Sequence, residues 1–341
     1  MRYKILGRSG LRVSELALGT MTFGTDWGWG ATRDESQAIF DRYAEAGGNF
    51  IDTANRYTEG TSEQFVGDFV RADRDHFVLA TKYTLFDRRE DPNFSGNHRK
   101  NMMRSVEASL KRLDTECIDL FWLHAWDFST PIDEVMRGLD DLVRQGNVLY
   151  VGISDTPAWI VSQANTIADF RGWSRFIGLQ IRYSLIDRAA ERDLLPMAKA
   201  LGLGVTPWSI LGAGVLTGKY NGEDQPEEGR AKAGAATVKR NLTIAQACID
   251  IATELGCSPS QVAIRWVMQQ PQTIVPLIGA RNLAQLNDNL GVLDISLNDT
   301  HLARLEDVSQ FEPGFPHDFL TSDGVRDLVF GGTHEQIDFW D

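Results

Sequence analysis

The chain has 341 residues, 43% of them hydrophobic and 24% charged, an ordinary globular composition with ample material for a core. Thirty-four basic residues against 47 acidic ones give a net charge of −13, which repels phosphate backbones and anionic membranes and excludes general nucleic-acid binding, leaving room only for local basic pockets. Cys117, Cys248 and Cys257 show no paired spacing, which argues for a reducing compartment and against a disulfide framework or a zinc site.

The N-terminal stretch MRYKILGRSGLRVSELALG has no apolar run of signal-peptide length. No segment approaches the roughly 18 consecutive apolar residues of a membrane span, so the expected location is the cytoplasm. From there, short apolar runs alternate with longer amphipathic ones. Strands are expected at 16–20, 50–54, 77–82, 118–124, 148–154, 176–181, 203–209 and 273–279. Helix starts are marked by Thr32 ahead of 33–47, Thr61 ahead of 62–71, Asn97 ahead of 98–113 and Pro131 opening 131–145. Pro157, Pro259 and Asn282 mark later ones, and Gly47-Gly48, Gly146, Gly202 and Gly256 supply stops.

The expected strands lack polar alternation, which predicts a parallel sheet covered by helices on its faces. About eight such repeats in one chain predict an α/β fold of the (β/α)8 TIM-barrel type, a single domain over 1–341 with its sites at the C-terminal mouth of the strands. A doubly wound sheet would need a phosphate loop after its first strand, and none is present. Two segments break the rhythm. Residues 210–241 form a long polar, Gly-rich connection, of a length more often functional than accidental. The tail, 310–341, reads as irregular, yet Phe315, Phe319, Phe330, Phe339 and Trp340 are too many aromatics for a free end, and it is expected to pack back on the barrel.

In such a barrel the strand ends converge on one mouth, so the polar residues there form the candidate site. The second strand delivers Asp52 with Tyr57 just beyond it, the third Lys82, the fourth His124. A tyrosine, with an ordinary pKa of about 10, is a poor proton donor or acceptor near neutrality. A lysine ammonium beside the phenol favours the phenolate, and an aspartate keeps that lysine charged and oriented. A neutral histidine can hydrogen-bond a substrate oxygen. The four together protonate a carbonyl oxygen or deprotonate an alcohol, the acid–base half of a hydride transfer. Each alone has a bland reading: helix cap, surface charge, or hydrogen-bonded core histidine.

These residues and their surroundings resemble the aldo-keto reductase superfamily, from about residue 3 to about 309. The motifs are LGRSGLRVSELALGT, FIDTANRYTEGTSE, ATK at Lys82, IDLFWLHAWD at His124, VLYVGIS, GLQIRYSLIDR, TPWSILGAGVLTGKY and IVPLIGARNLAQLNDNL. The sequence is most similar to the aryl-alcohol dehydrogenase-like branch. The resemblance implies a barrel that binds NADP(H) without a Rossmann domain, with Tyr57 as general acid–base tuned by Lys82 and Asp52, and His124 orienting the substrate carbonyl. It further implies that Thr20 and Met21 border the cofactor, that Ser154, Asp155 and Gln180 hold the nicotinamide carboxamide, and that Trp208 stacks on the ring. Ser209, Ile210, Leu211, Gly212, Gly214, Lys219 and Arg230 would follow the pyrophosphate. Gly279, Arg281, Gln285, Asp288 and Asn289 would surround the adenosine end, where the guanidinium of Arg281 suits a 2′-phosphate.

Two positions depart from the family pattern. Asp155 stands where Asn is common, and an ionised aspartate can only accept hydrogen bonds, whereas asparagine also donates. Ile210 stands where Pro is frequent. GAGVLTG, 212–218, has one residue too many between glycines for a Rossmann fingerprint, and is read as a loop approaching phosphate. Trp27, Trp29 and Trp126 are candidate substrate-pocket residues, or rim packing. No metal site is expected. The substrate is expected to be a small carbonyl compound or alcohol, and self-association is left open. Two other readings of the same fold remain at this stage: a sugar or sugar-derivative dehydrogenase, and a cofactor-sensing regulatory subunit like the potassium-channel β-subunits.

Overall fold

The computed structural model describes residues 1–222 and 238–338. The chain opens with a short antiparallel hairpin, β1 (Tyr3–Ile5) and β2 (Arg12–Ser14), whose three-residue strands leave no readable alternation. Its apolar side closes the N-terminal end of the barrel. Leu6 and Val13 pack with Phe50, Val78, Leu120, Trp122, Ile177 and Val275 in a core of their own inside the strands.

Among the described residues, eight parallel strands follow: β3 (Ala17–Gly19), β4 (Phe50–Asp52), β5 (Val78–Tyr83), β6 (Ile118–Leu123), β7 (Val148–Ser154), β8 (Phe176–Arg182), β9 (Gly204–Trp208) and β10 (Leu277–Ile278). They are neighbours in the order β10-β3-β4-β5-β6-β7-β8-β9. The last expected strand, 273–279, is split. Val205 N donates to Thr273 O at 2.9 Å and Val275 N to Val205 O at 2.8 Å, whereas Leu277 and Ile278 pair with β3. Pro276, lacking an N–H, sits at the change of partner, and this segment joins β9 to β3 so that the barrel closes.

Trp122 fills the barrel interior. It stands opposite Gly152 on β7, whose own neighbour on β8 is Gly178. A Cβ at Gly152 would collide with the indole, and one at Gly178 would lie 2.8 Å from it, so the two glycines leave the space the ring occupies. Lys82 is the register partner of Trp122 on β5, so this packing sets the level at which the lysine side chain starts.

The helices alternate with the strands: α1 (Arg33–Glu45), α2 (Thr61–Val70), α3 (Arg99–Leu113), α4 (Ile132–Arg144), α5 (Ala158–Arg171), α6 (Leu194–Leu201), α7 (Lys239–Leu255), α8 (Pro259–Met268), α9 (Leu283–Leu290) and α10 (Asp299–Ser309). Thr32 with Glu35, and Ser258 with Gln261, form reciprocal capping boxes. The expected cap of α3, Asn97, is displaced by His98, whose ring nitrogen accepts from Asn101 N at 3.2 Å. Asn97 braces the mouth instead, donating to Thr84 Oγ1 and Ala125 O and accepting from Asp127 N.

The tail differs from expectation. It carries two short helices, α11 (His317–Thr321) and α12 (Asp323–Phe330), and no residue of either is buried. Anchorage ends near residue 314: Arg188 Nη1 donates to Ser309 Oγ at 3.0 Å and Arg192 Nε to Pro313 O at 2.5 Å. Beyond that, Phe315 is 82% exposed and Phe319 55%, so these aromatics are not packed on the barrel as expected; Phe339 and Trp340 lie outside the described residues. No described helix is long and apolar enough to cross a membrane.

Candidate active site

Strand β4 ends at Asp52, and the chain turns sharply to bring Tyr57 back over the mouth. Thr58, Glu59 and Gly60 take successive left-handed conformations (φ 45°, 57° and 96°), which costs non-glycine residues strain and persists only where the surroundings fix it. Here they do. Thr58 Oγ1 donates to Phe23 O at 2.6 Å and accepts from Ser62 N at 3.1 Å. The Ser62 hydroxyl lies 2.9 Å from Thr53 Oγ1 and 2.8 Å from Thr20 Oγ1, all of them buried.

Lys82, fully buried on β5, directs its ammonium to three acceptors: Asp52 Oδ2 at 2.5 Å, Thr53 O at 2.8 Å and Tyr57 Oη at 3.2 Å. Its three protons are thereby all used. The other oxygen of Asp52 accepts from Gln180 Nε2 at 3.0 Å. The imidazole of His124, at the end of β6, meets the Tyr57 ring edge-on, centroids 6.0 Å apart. The four side chains expected to act together are therefore brought together.

Their charge states follow from the packing. Burial works to strip the proton from Lys82, but Asp52 and Tyr57 outweigh it and hold the ammonium above its ordinary range. Burial, with Lys82 beside it, keeps His124 well below its ordinary range, hence neutral. Tyr57 is the surprise: burial lifts it above the ordinary tyrosine value, Lys82 pulls it down, and Asp52 and Asp155 push it back up. A lysine was expected to leave the phenol easier to ionise. The net result here is a protonated phenol.

One supporting residue had no motif to announce it. Glu63 on α2 is fully buried, accepting from Thr81 Oγ1 and from Arg112 Nε, both at 2.5 Å, and so clamps α2 to the strand residue next to Lys82. A charged residue at a core-facing helical position was the only available signal.

This arrangement of site and barrel coincides with what sequence comparison finds. The model of the Aldo/keto reductase family matches residues 15–310. The chain belongs to the aldo/keto reductase family. It is 41% identical over 322 residues to a norsolorinic acid reductase of Emericella nidulans, covering 92% of this chain and 82% of that protein. It is 39% identical to an aryl-alcohol dehydrogenase [NADP(+)] of Phanerodontia chrysosporium, with coverage of 92% and 87%, and 36% identical to a putative aryl-alcohol dehydrogenase of Saccharomyces cerevisiae, with coverage of 94% and 90%. Like its family, it is an oxidoreductase.

An aldo/keto reductase needs a dinucleotide beside the tetrad, and the mouth of this one suits it. Past Trp208 the chain turns through Ser209, Gly212, Ala213 and Gly214, all left-handed, with Ile210 buried and Leu211 half-buried between them. A Cβ at Gly214 would stand 3.2 Å from Lys219 Nζ, so the missing side chain lets the ammonium lie over the turn. Among the described residues neither Lys219 nor Arg281 has an ion-pair partner, in a protein of net charge −13. Two unpaired cations at separate points of one mouth are the donor chemistry a phosphorylated dinucleotide requires.

The remaining expected cofactor residues divide into two groups. Ser154 is buried at the end of β7, and Gln180 is engaged with Asp52. Thr20 is fully buried and bonded to Ser62 and to Asp52 O, while Met21 beside it is half-exposed. Gln285 accepts from Arg281 N at 2.9 Å, Asn289 donates to Gly279 O at 3.2 Å and Asp288 accepts from Gln261, so these three shape the loop that carries Arg281. Arg230 lies outside the described residues.

Trp27 and Trp29, in the loop after β3, lean on each other with centroids 5.7 Å apart. Trp27 Nε1 donates to Glu59 Oε1 at 3.0 Å, two residues from Tyr57, and Trp29 is 36% exposed. Trp126 is half-buried, its main-chain N–H 3.5 Å from Asp155 O. Trp27 thus reaches the turn that carries Tyr57, and Trp126 follows His124 by two residues.

Proposed function

We propose that this aldo/keto reductase is NADP(H)-dependent and interconverts an aldehyde or ketone with its alcohol, aromatic compounds being the best match to the tryptophans at the rim. The observation that carries the reading is the placement of the Lys82 ammonium, 2.5 Å from Asp52 and 3.2 Å from the Tyr57 hydroxyl. The names of the relatives, reductases and aryl-alcohol dehydrogenases, support the same class.

The bound cofactor supplies or accepts the hydride at the carbonyl carbon. Everything else falls to the chain's own residues. In reduction, Tyr57 gives its proton to the carbonyl oxygen, and the phenolate left behind is stabilised by Lys82, already within hydrogen-bonding distance. Asp52 holds the lysine charged and aimed at that oxygen. His124, neutral, can donate an N–H to the same carbonyl oxygen without competing for the proton that Tyr57 transfers. In oxidation the proton path reverses and Tyr57 must first be ionised. Lys219 and Arg281 would hold the phosphates of NADP(H), with Arg281 on the 2′-phosphate.

The test is NADPH consumption by the purified protein with a reactive aromatic aldehyde, beside Tyr57→Phe. Loss of turnover in the variant with NADPH binding retained supports the assignment. Tight NADPH binding without turnover over a panel of aldehydes and ketones, and with NADP+ and sugars, would overturn it in favour of a cofactor-sensing role.

A further inference from the structure

Asp155, just past the end of β7 and next to the tetrad, is a carboxylate with no ion-pair partner among the described residues. Its carboxylate accepts a hydrogen bond from Trp208 Nε1 at 3.1 Å. The nearby guanidinium of Arg182 is paired instead with Asp187 at 2.9 Å and lies over the Trp208 ring, and Lys82 is paired with Asp52.

Its main chain is tied to the site on both sides. Asp155 N donates to Gln180 O at 3.2 Å, and the side chain of that same Gln180 touches Asp52. Trp126 N, two residues beyond His124, approaches Asp155 O at 3.5 Å. Burial lifts the carboxyl above the ordinary aspartate range, against the hydrogen bond from Trp208 and the pull of Lys82 and Arg182, and the carboxyl in turn raises Tyr57. Hydride and proton are delivered to two bonded atoms, so the reacting ring must come within a few ångström of the Tyr57 oxygen, and therefore into the field of Asp155.

We propose that the charge of Asp155, held by Trp208, sets the redox preference of the site, making it bind NADP+ in preference to NADPH. The inference rests on the NADP(H) reading above. The nicotinamide ring is neutral when reduced and cationic when oxidised. When hydride passes to the carbonyl carbon and Tyr57 protonates the oxygen, alcohol and NADP+ are formed, and a carboxylate beside the new cation stabilises it. Reduction is thereby favoured on the enzyme, and release of NADP+ is slowed. A backbone explanation for Asp155 also exists, since its φ of 39° is left-handed and suits Asp or Asn. Asparagine, however, would serve that turn and accept from Trp208, so Asp155→Asn removes the charge while adding an amide donor, and Asp155→Gly removes the charge without adding one.

The experiment titrates the full chain with NADP+ and, separately, NADPH, by calorimetry or quenching of tryptophan fluorescence. It compares wild type with Asp155→Asn and with Asp155→Gly, which also tolerates the left-handed turn. Both variants should weaken NADP+ by about tenfold relative to NADPH, the scale of one screened charge a few ångström away. Equal changes in the two affinities, or none, would overturn the inference while leaving the cofactor assignment standing. Failure of wild type to bind either form would remove both.

Discussion

Lys82 and Asp52 form an ion pair from which solvent is excluded, Nζ 2.5 Å from Oδ2, with exposures of 0% and 1%. Such a pair is weak support for stability while intact, yet breaking it leaves a buried charge uncompensated at a cost of about 3–5 kcal/mol. Asp52→Asn should therefore lower the unfolding free energy by an amount of that order, because it leaves the buried Lys82 ammonium with neutral acceptors only, among them Thr53 O and Tyr57. With the ammonium less firmly held, turnover should fall by roughly 10²–10⁴. Urea denaturation and steady-state kinetics on one preparation would check both; a variant of unchanged stability and unchanged turnover contradicts the assigned role.

The two directions of the reaction should respond oppositely to pH. Burial holds Tyr57 above the ordinary tyrosine range, so the phenol carries its proton throughout neutral pH. Reduction, which consumes that proton, should be independent of Tyr57 ionisation through neutrality and decline only in alkali. Oxidation needs the phenolate and should climb with pH over the alkaline range. Lys82 is the one group drawing the phenol down, so Lys82→Met should displace the oxidative limb to higher pH as well as slowing turnover. Profiles of kcat/KM in both directions would show this, and a limb that stays in place in Lys82→Met argues that another group titrates.

Much of this was legible in the sequence, for identifiable reasons. Strands β4 to β6 are largely buried apolar runs, and the polar residues at or just past their ends stand out against them. That exposed Asp52, Lys82 and His124 together. What escaped was set by tertiary contact. The hairpin β1–β2 is too short for periodicity. Asn97 is the better cap by residue type, and only the pull of Thr84, Ala125 and Asp127 on it leaves the helix to His98. The direction of the Tyr57 shift depends on burial and on Asp155, neither of which a local motif contains. Aromatic content suggested a packed tail, whereas α11 and α12 bury none of their residues.

Arg281 provides a test of cofactor choice. Its main-chain N–H is held by Gln285, whereas its exposed guanidinium has no ion-pair partner among the described residues. If that guanidinium grips a 2′-phosphate in a paired fashion, Arg281→Ala should weaken NADP(H) by a charge-assisted contact, about 1.5–3 kcal/mol, and leave NAD(H) almost untouched. Dissociation constants for the four dinucleotides would decide it. Equal losses for both cofactors would remove the assignment.

Gly152 links core packing to catalysis. It lies opposite Trp122, and a Cβ there would enter the space of the indole; its φ is not left-handed, so the backbone itself accepts alanine. Gly152→Ala should thus act by overpacking alone, at a cost of about 1–3 kcal/mol. The displaced indole would press on Lys82, its register partner across β5 and β6, so turnover should fall even under conditions where the variant is fully folded. Trp122→Leu in the same chain frees the volume the new methyl needs. If stability and turnover both recover in the double variant, the indole is the link; if Gly152→Ala alone is neutral in both, the barrel interior is looser than this packing implies.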